Sequence, residues 1–270
     1  MQLPLSAAVA SRLEILDECG STNTELVARA SGSEAENWPD FSVLVTGSQT
    51  DGRGRLGRVW VAPPGQTLAI SVLLRPRLPS GEPLEIDRYG WFPLIAGIAM
   101  TTAVAPLVPQ HSVRLKWPND VQIDGLKVSG LLAELLPGGG GAVLGAGLNL
   151  MIAQADLPTS TSTSLALNDP ILFGAALVDR ALAGYLTELG RRYTEFLRFS
   201  ADPESSGVAG QLRDLCSTIG SQVRVQLPGG TDLIGTAIGI DDSGRLSVRK
   251  SSDGRVVAVA AGDVTHLRYE

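Results

Sequence analysis

Three short runs of this chain concentrate the groups that could do chemistry. The first, Gly52-Arg53-Gly54-Arg55-Leu56-Gly57-Arg58-Val59-Trp60, interleaves three guanidinium groups with glycines. Arginine stays charged and grips planar oxyanions with paired N–H bonds, and glycine lets backbone N–H groups approach a ligand. The composition therefore suits a phosphate or a carboxylate. The run contains a literal GxGxxG, but Trp60, Val61 and Pro63-Pro64 follow where a dinucleotide fold needs a helix, and no Gly-Lys-Ser/Thr closes a Walker loop. The second, Lys116-Trp117-Pro118-Asn119-Asp120, sets a cation, an amide and a carboxylate around a proline; its polar heads either converge on a ligand or make a turn while Trp117 fills the core. The third is Lys127, three residues before Gly130 on a mostly apolar strand. A charge there is costly unless it reaches solvent or meets an anion, and a phosphate would explain it.

These groups need a scaffold. Ser21 to Thr24 offer helix caps, and Glu25 to Ala30 supply helix formers, so a short helix is predicted there. FSVLVTGSQ (41–49) and TLAISVLLRP (67–76) read as strands flanking the glycine-arginine loop. An apolar helix near 93–108 is followed by strand-like runs broken at Asp124-Gly125 and at Gly138–Gly141, which predicts an antiparallel meander ending in AVLGAGLNL. Residues 151–165 are Thr/Ser-rich without an apolar stripe and read as a mobile loop beside the site. From Asp169 as cap and Pro170 in the first turn, apolar residues recur at helical period until Asp202-Pro203. Residues 200–220 read as a boundary, after which the period changes to two and predicts a small barrel of four or five strands. The expected domains are thus 1–215 and 216–270.

Composition narrows the class. With 270 residues, 44% hydrophobic and 19% charged, the chain suits a globular protein with a core of its own, and its net charge of −6 argues against a nucleic-acid coat. Cys19 and Cys216 are far apart and His111 and His266 lie in no metal-spacing motif, so neither a disulfide framework nor a metal site is expected, and a reducing cytoplasm fits. The start of the chain lacks a secretory pattern. The uncharged stretch Trp91 to Pro109 holds three prolines and is expected as a buried helix, with no membrane span. Without a nucleophile elbow or triad, catalysis should be electrostatic and positional.

Taken together, the motifs resemble those of the biotin protein ligase family: a GRGRxGRxW loop at 52–60, KWPND at 116–120, a K-V-x-G-(I/L)-L-x-E strand at 127–134 and GxGxN at 145–149, in that order. The resemblance implies an α/β (α+β) fold, a mixed-sheet catalytic domain like that of class II aminoacyl-tRNA synthetases with a C-terminal SH3-like barrel. It implies that biotin and Mg-ATP form biotinyl-5′-AMP, with no permanently bound cofactor, and that a lysine of the biotin carboxyl carrier domain of an acyl-CoA carboxylase then takes the biotinyl group. By resemblance Ser21, Thr22, Asn23, Gln49, Gly52, Arg53 and Gly130 line a biotin site. Arg53, Arg55, Arg58, Lys116, Asn119, Lys127 and Asn149 hold the adenylate and phosphates. Lys127 and Arg55 act in catalysis, and Asp120 orients or deprotonates the acceptor lysine. Some members carry a helix-turn-helix domain before this core; about 20 residues before Ser21 are too few for one, so no DNA partner and no repressor activity are expected. The rival readings are a lipoate-protein ligase-like acyltransferase and a non-catalytic nucleotide- or biotin-binding module, and the sequence leaves the oligomeric state open.

Overall fold

The protein is described from a computed structural model covering residues 1–169, 175–227, 231–260 and 263–266. Its larger sheet has seven strands: β1 (Arg12–Leu16), β2 (Ser42–Thr46), β3 (Thr67–Leu74), β4 (Val113–Lys116), β5 (Asp120–Ile123), β6 (Leu126–Leu135) and β7 (Ala142–Asn149), in the order β1-β2-β3-β7-β6-β5-β4. β1 and β2 run parallel and every other neighbouring pair is antiparallel, so the sheet is mixed. The meander is β4 to β7. Asp124 and Gly125 both take positive φ in its tight turn, a geometry that Asp tolerates and Gly adopts freely.

Alternation along the strands decides what each face does. Leu68, Ile70 and Val72 of β3 and Leu144, Ala146 and Leu148 of β7 share the large core cluster with residues of α3 (Phe92–Val104) and α5 (Ala175–Arg198). α3 is apolar on all sides because it is surrounded: Phe92 stands edge-on to Tyr193 and Phe196, at 5.9 and 6.4 Å, contacts that contribute about 0.5–1.5 kcal/mol each beyond area burial. The stretch from Ile86 to Leu107 is long and apolar enough to cross a membrane, yet 72% of its most apolar window is buried within the protein. On the opposite face, α2 (Thr22–Ser31) lays Leu26 and Ala30, with Trp38, against Leu44, Leu73 and Val143. α2 is capped as predicted: Ser21 Oγ accepts from Thr24 N, with Glu25 in the first turn and Arg29 in the last.

The C-terminal part is a five-stranded antiparallel sheet, β8 (Gln222–Gln226), β9 (Asp232–Ile240), β10 (Leu246–Lys250), β11 (Val256–Val259) and β12 (Asp263–His266), ordered β11-β10-β9-β8-β12. It is tied back to the rest of the fold by Trp117 N to Thr218 Oγ1 (3.0 Å), Ser217 N to Leu115 O (2.8 Å) and Trp91 Nε1 to Asp242 O (2.8 Å).

Three local expectations change. Residues 200–220 are not irregular throughout, since α6 (Val208–Leu215) buries Val208, Ala209 and Leu212 against α3. The N-terminal residues supply α1 (Pro4–Ala7) and edge strand β1, which no sequence signal announced. The 151–165 segment ends in α4 (Leu165–Asn168), whose C-cap is Asp169, and buries Ser162, Thr163 and Ser164. Main-chain bonds to Lys127 and the bond from Ser164 Oγ to Ile152 O seat residues 161–164 as a wall beside β6. The expected first turn at Pro170 lies outside the described residues.

One surface pair makes stability depend on pH. His111 Nδ1 lies 2.6 Å from Asp124 Oδ2 and Nε2 lies 3.1 Å from Asn168 O. The bond to Asp124 raises the imidazole above its ordinary 6.5, and the same bond holds Asp124 below its ordinary 3.8. A raised histidine stabilises fully below 6.5 and loses that contribution as pH climbs through its folded value; a lowered aspartate stabilises above 3.8 and loses it as pH falls through its own. The destabilisation caused by His111→Ala should therefore be largest between about pH 4 and 6.5 and shrink above it. Chemical denaturation at a series of pH values checks this, and a pH-independent difference would contradict it.

Candidate active site

The register of the sheet brings the sequence motifs to one face. Ala69 and Ser71 of β3 pair with Gly147 and Gly145 of β7, which pair in turn with Gly130 and Leu132 of β6; Gly130 pairs with Asp120 of β5, and Asp120 with Lys116 of β4. Lys116, Asp120, Gly130, Gly147 and Ala69 therefore form a row across five strands, opposite the large core. The row floors a cleft of about 460 Å³. Ser21, Thr22, Asn23, Gln49, Arg53, Arg55, Arg58, Asn119, Lys127 and Asn149 also line it. Gly52 does not line the cleft; it is buried opposite Trp60, where a Cβ would overlap the Trp60 carbonyl oxygen.

Lys127 reaches this face through an irregularity. Lys127 and Gly130 are three residues apart, an odd separation that puts side chains on opposite faces of a regular strand. β6 pairs Ser129 with Val121 but Lys127 with Gln122, so Val128 is an extra residue, and this bulge turns Lys127 onto the face of Gly130. There Nζ lies 2.6 Å from Asp120 Oδ1 and 5.4 Å from the centre of the Trp60 ring. The anion that justifies Lys127 in this structure is thus Asp120.

The glycine-arginine run is a short hairpin. Gly54 N donates to Arg58 O and Trp60 N to Gly52 O, and the turn is made by Leu56 and Gly57, both at positive φ. Its base sits on the sheet: a Cβ at Gly147 would overlap the Trp60 ring, and one at Gly130 would crowd both Trp60 and Lys127. These glycines leave the space that the indole fills. Arg55 reaches Asn119 Oδ1 at 3.3 Å, while Asn119 Nδ2 donates to Leu131 O at 2.7 Å. Burial lowers the Arg55 and Lys116 pKa values; Asp120 opposes the shift in both, and Lys127 adds to that of Lys116. One carboxylate thus faces three neighbouring cations at this end of the cleft.

The other end is lined mainly with neutral polar groups, with Arg53 held beside them. Gln49 Oε1 accepts from Thr22 N (3.0 Å) and Thr22 Oγ1 (3.2 Å). Buried Ser71, a hydroxyl within the apolar run of β3, donates to Asn23 Oδ1 at 2.6 Å. The wall at 158–163 is stitched to the lysine strand by Lys127 N to Thr161 O (2.7 Å) and Thr163 N to Lys127 O (2.8 Å), and Asn149 Nδ2 donates to Thr163 O (2.9 Å). Among the described residues, Asn149 Oδ1 and Trp60 Nε1 are buried without a partner, which is costly unless a ligand supplies one.

Sequence reasoning gave no role to Trp60, Ser71, Gly147, Glu134 or the Thr159–Ser162 wall. The small residues at alternate positions of β7 were the available signal for Trp60, because an indole on a sheet needs glycine beneath it. We expect Gly147→Ala to lift the Trp60 ring from the sheet at a cost of about 1–3 kcal/mol. Trp38, Trp91 and Trp117 are each at most 2% exposed, so a red shift in tryptophan emission would report this ring; unchanged emission would contradict the packing.

Comparison with known proteins agrees with these features. Residues 19–149 match the biotin/lipoate A/B protein ligase family, and residues 218–267 match the biotin protein ligase C-terminal domain. The chain is 40% identical to a biotin–[acetyl-CoA-carboxylase] ligase of Mycobacterium tuberculosis, over 95% of this chain and 90% of that protein. It is 28% identical to a protein of the same name from Paracoccus denitrificans, over 91% and 98%. Among solved structures, the biotin protein ligase of Aquifex aeolicus in complex with biotin and ATP superposes with a TM-score of 0.71 at 24% identity, covering 96% of this chain and all of that one. The Leishmania major enzyme in complex with biotinyl-5-AMP gives 0.61 at 25% identity, over 93% and 99%.

Proposed function

Since this chain belongs to the biotin protein ligase family and is an enzyme of the biotin ligase type, we propose that its cleft joins biotin to AMP and passes the biotinyl group to a lysine of the biotin carboxyl carrier domain of an acyl-CoA carboxylase. The observation that carries this reading is the division of one cleft into a mainly neutral hydrogen-bonding end and a cationic end. Biotin's head is a cyclic urea with one acceptor and two donors; Ser21, Thr22, Asn23 and Gln49 supply complementary groups, Gly130 leaves room beside them, and buried Gly52 lets the hairpin close. The 2.6–3.2 Å bonds among Thr22, Asn23, Gln49 and Ser71 fix these groups before the ligand arrives. Lipoate's dithiolane ring could not pair with that set, so its polar atoms would be buried unsatisfied.

ATP lies toward Arg53, Arg55, Arg58, Lys116, Asn119 and Lys127, with the unpartnered Asn149 Oδ1 available to accept from the adenine amino group. Biotin's carboxylate oxygen attacks the α-phosphorus and pyrophosphate leaves. Both reactants are anionic, so cations already in place lower their repulsion and stabilise the charge that develops at phosphorus, chiefly Arg55 and Lys127. Mg²⁺ arrives on the triphosphate as part of the substrate. The arginine and lysine side chains above carry the protein's share of the charge. In the second step the carrier lysine attacks the carbonyl carbon of the mixed anhydride, AMP leaves, and the amine gives up a proton. A phosphate that takes over Lys127 frees the Asp120 carboxylate to orient that amine or accept its proton.

The unpaired thiols of Cys19 and Cys216 fit a reducing cytoplasm, and the net charge of −6 disfavours an extended DNA backbone, so we propose no repressor activity for these residues. We propose that residues 1–215 hold the reaction and 216–270 form a separate small β domain. Incubation with Mg-ATP, biotin or lipoate, and a carrier domain, followed by mass spectrometry, tests the reading. Biotin on one carrier lysine is the expected result; lipoyl transfer without biotinyl transfer overturns it.

A further inference from the structure

The Glu134 carboxylate gathers groups from two other elements. Its Oε2 accepts from Arg53 Nη2 of the hairpin at 3.0 Å and from Asn23 Nδ2 of α2 at 2.8 Å. Arg53 Nη2 donates a further bond to Thr24 Oγ1, at 2.8 Å, which ties the hairpin to the first turn of α2 as well. Both Arg53 bonds use one guanidinium nitrogen, Nη2, so Nη1 and Nε stand outside the anchor. Asn23 itself fits only because residue 145 is glycine, where a Cβ would overlap its amide.

Beyond this anchor, the outer hairpin reaches the approach to β5 through Arg55 Nη1, which donates to Asn119 Oδ1 at 3.3 Å. Leu56 and Val59 are 65% and 75% exposed, so opening the hairpin uncovers little apolar surface, and a few charged bonds decide its position. Building on the biotin ligase reading, we propose that Glu134 is a positioning residue that latches the hairpin over bound biotinyl-AMP through Arg53, and so sets how long the intermediate is retained. Glu134 does not line the cleft and reaches it through Arg53 and Asn23, of which only the link to Arg53 depends on its charge.

Glu134→Gln separates this role from a merely structural one. The amide oxygen can still accept from Asn23, while the charge that holds Arg53 is gone. A charge-assisted bond of this kind corresponds to roughly tenfold or more in a rate. In a chase experiment on enzyme loaded with radiolabelled biotinyl-AMP, Glu134→Gln should release the intermediate about tenfold faster or more, while its single-turnover rate of adenylate synthesis stays within about threefold of wild type. Arg53→Ala should accelerate release similarly. The double variant should release no faster than Arg53→Ala alone, because both changes break the same link.

Release from Glu134→Gln at the wild-type rate, or multiplicative effects in the double variant, overturns the latch and leaves the biotin ligase reading intact. Wild-type protein that forms no biotinyl-AMP refutes that reading instead.

Discussion

Lys127→Ala is expected to abolish formation of biotinyl-AMP while the protein still folds. The ammonium stands at the one place where the bulge of β6 turns a cation onto the cleft face, 2.6 Å from Asp120 and over the Trp60 ring. A phosphate arriving in the cleft exchanges one anionic partner of Lys127 for another without reorganising the strand. Preorganised charge of that kind typically supplies about 10²- to 10³-fold in rate, and rapid quench with labelled ATP should show a loss of at least that size. The pair with Asp120 is partly exposed, at 30% and 25% of the two side chains, so its removal should cost only about 0–1 kcal/mol of stability. Adenylate synthesis at the wild-type rate in a folded Lys127→Ala variant would remove this residue from the mechanism.

Asp120→Asn should divide the two half-reactions. The amide keeps the size of the carboxylate and can still accept from Lys127, so the cationic end of the cleft holds its shape and adenylate synthesis should stay within about tenfold of wild type. The amide cannot take a proton from the carrier lysine, and loss of a general base lowers a rate by about 10²–10⁴. Biotinyl-AMP should consequently accumulate on the enzyme in the presence of carrier. The measurement is a two-stage assay: adenylate is formed first, carrier is added, and biotinylated carrier is counted over time. Equal losses in both stages would show that Asp120 acts only by holding Lys127 in position.

Much of the scaffold was legible because it rests on local signals. Asp124-Gly125 marks a tight turn whatever surrounds it, and the Gly138–Gly141 run marks the looser reversal between β6 and β7. The motif residues were legible as a set, and with the exception of Gly52 those assigned to the site line one cleft. What the sequence hid depends on contacts between distant positions. The face on which Lys127 emerges is set by one extra residue opposite Val121 and Gln122, which no period-two reading detects. Glu134 joins Arg53 and Asn23 across more than eighty residues. Residues 151–165 read as loose because they are polar, yet Ser164 Oγ donates to Ile152 O and Asn168 Nδ2 to Thr163 Oγ1; composition says nothing of where such partners lie. α6 is only two turns long, too short for its apolar stripe to stand out from the glycines and serines around it.

The central claim is that side chains fixed in this cleft join a carboxylate to a nucleotide without any bond to the enzyme. Purified protein incubated with biotin and Mg-ATP, with no carrier present, should yield free pyrophosphate and a stoichiometric amount of noncovalently held biotinyl-5′-AMP, recovered intact after denaturation and resolved by mass spectrometry. Recovery of a covalent enzyme adduct, or of ATP unchanged, would contradict it.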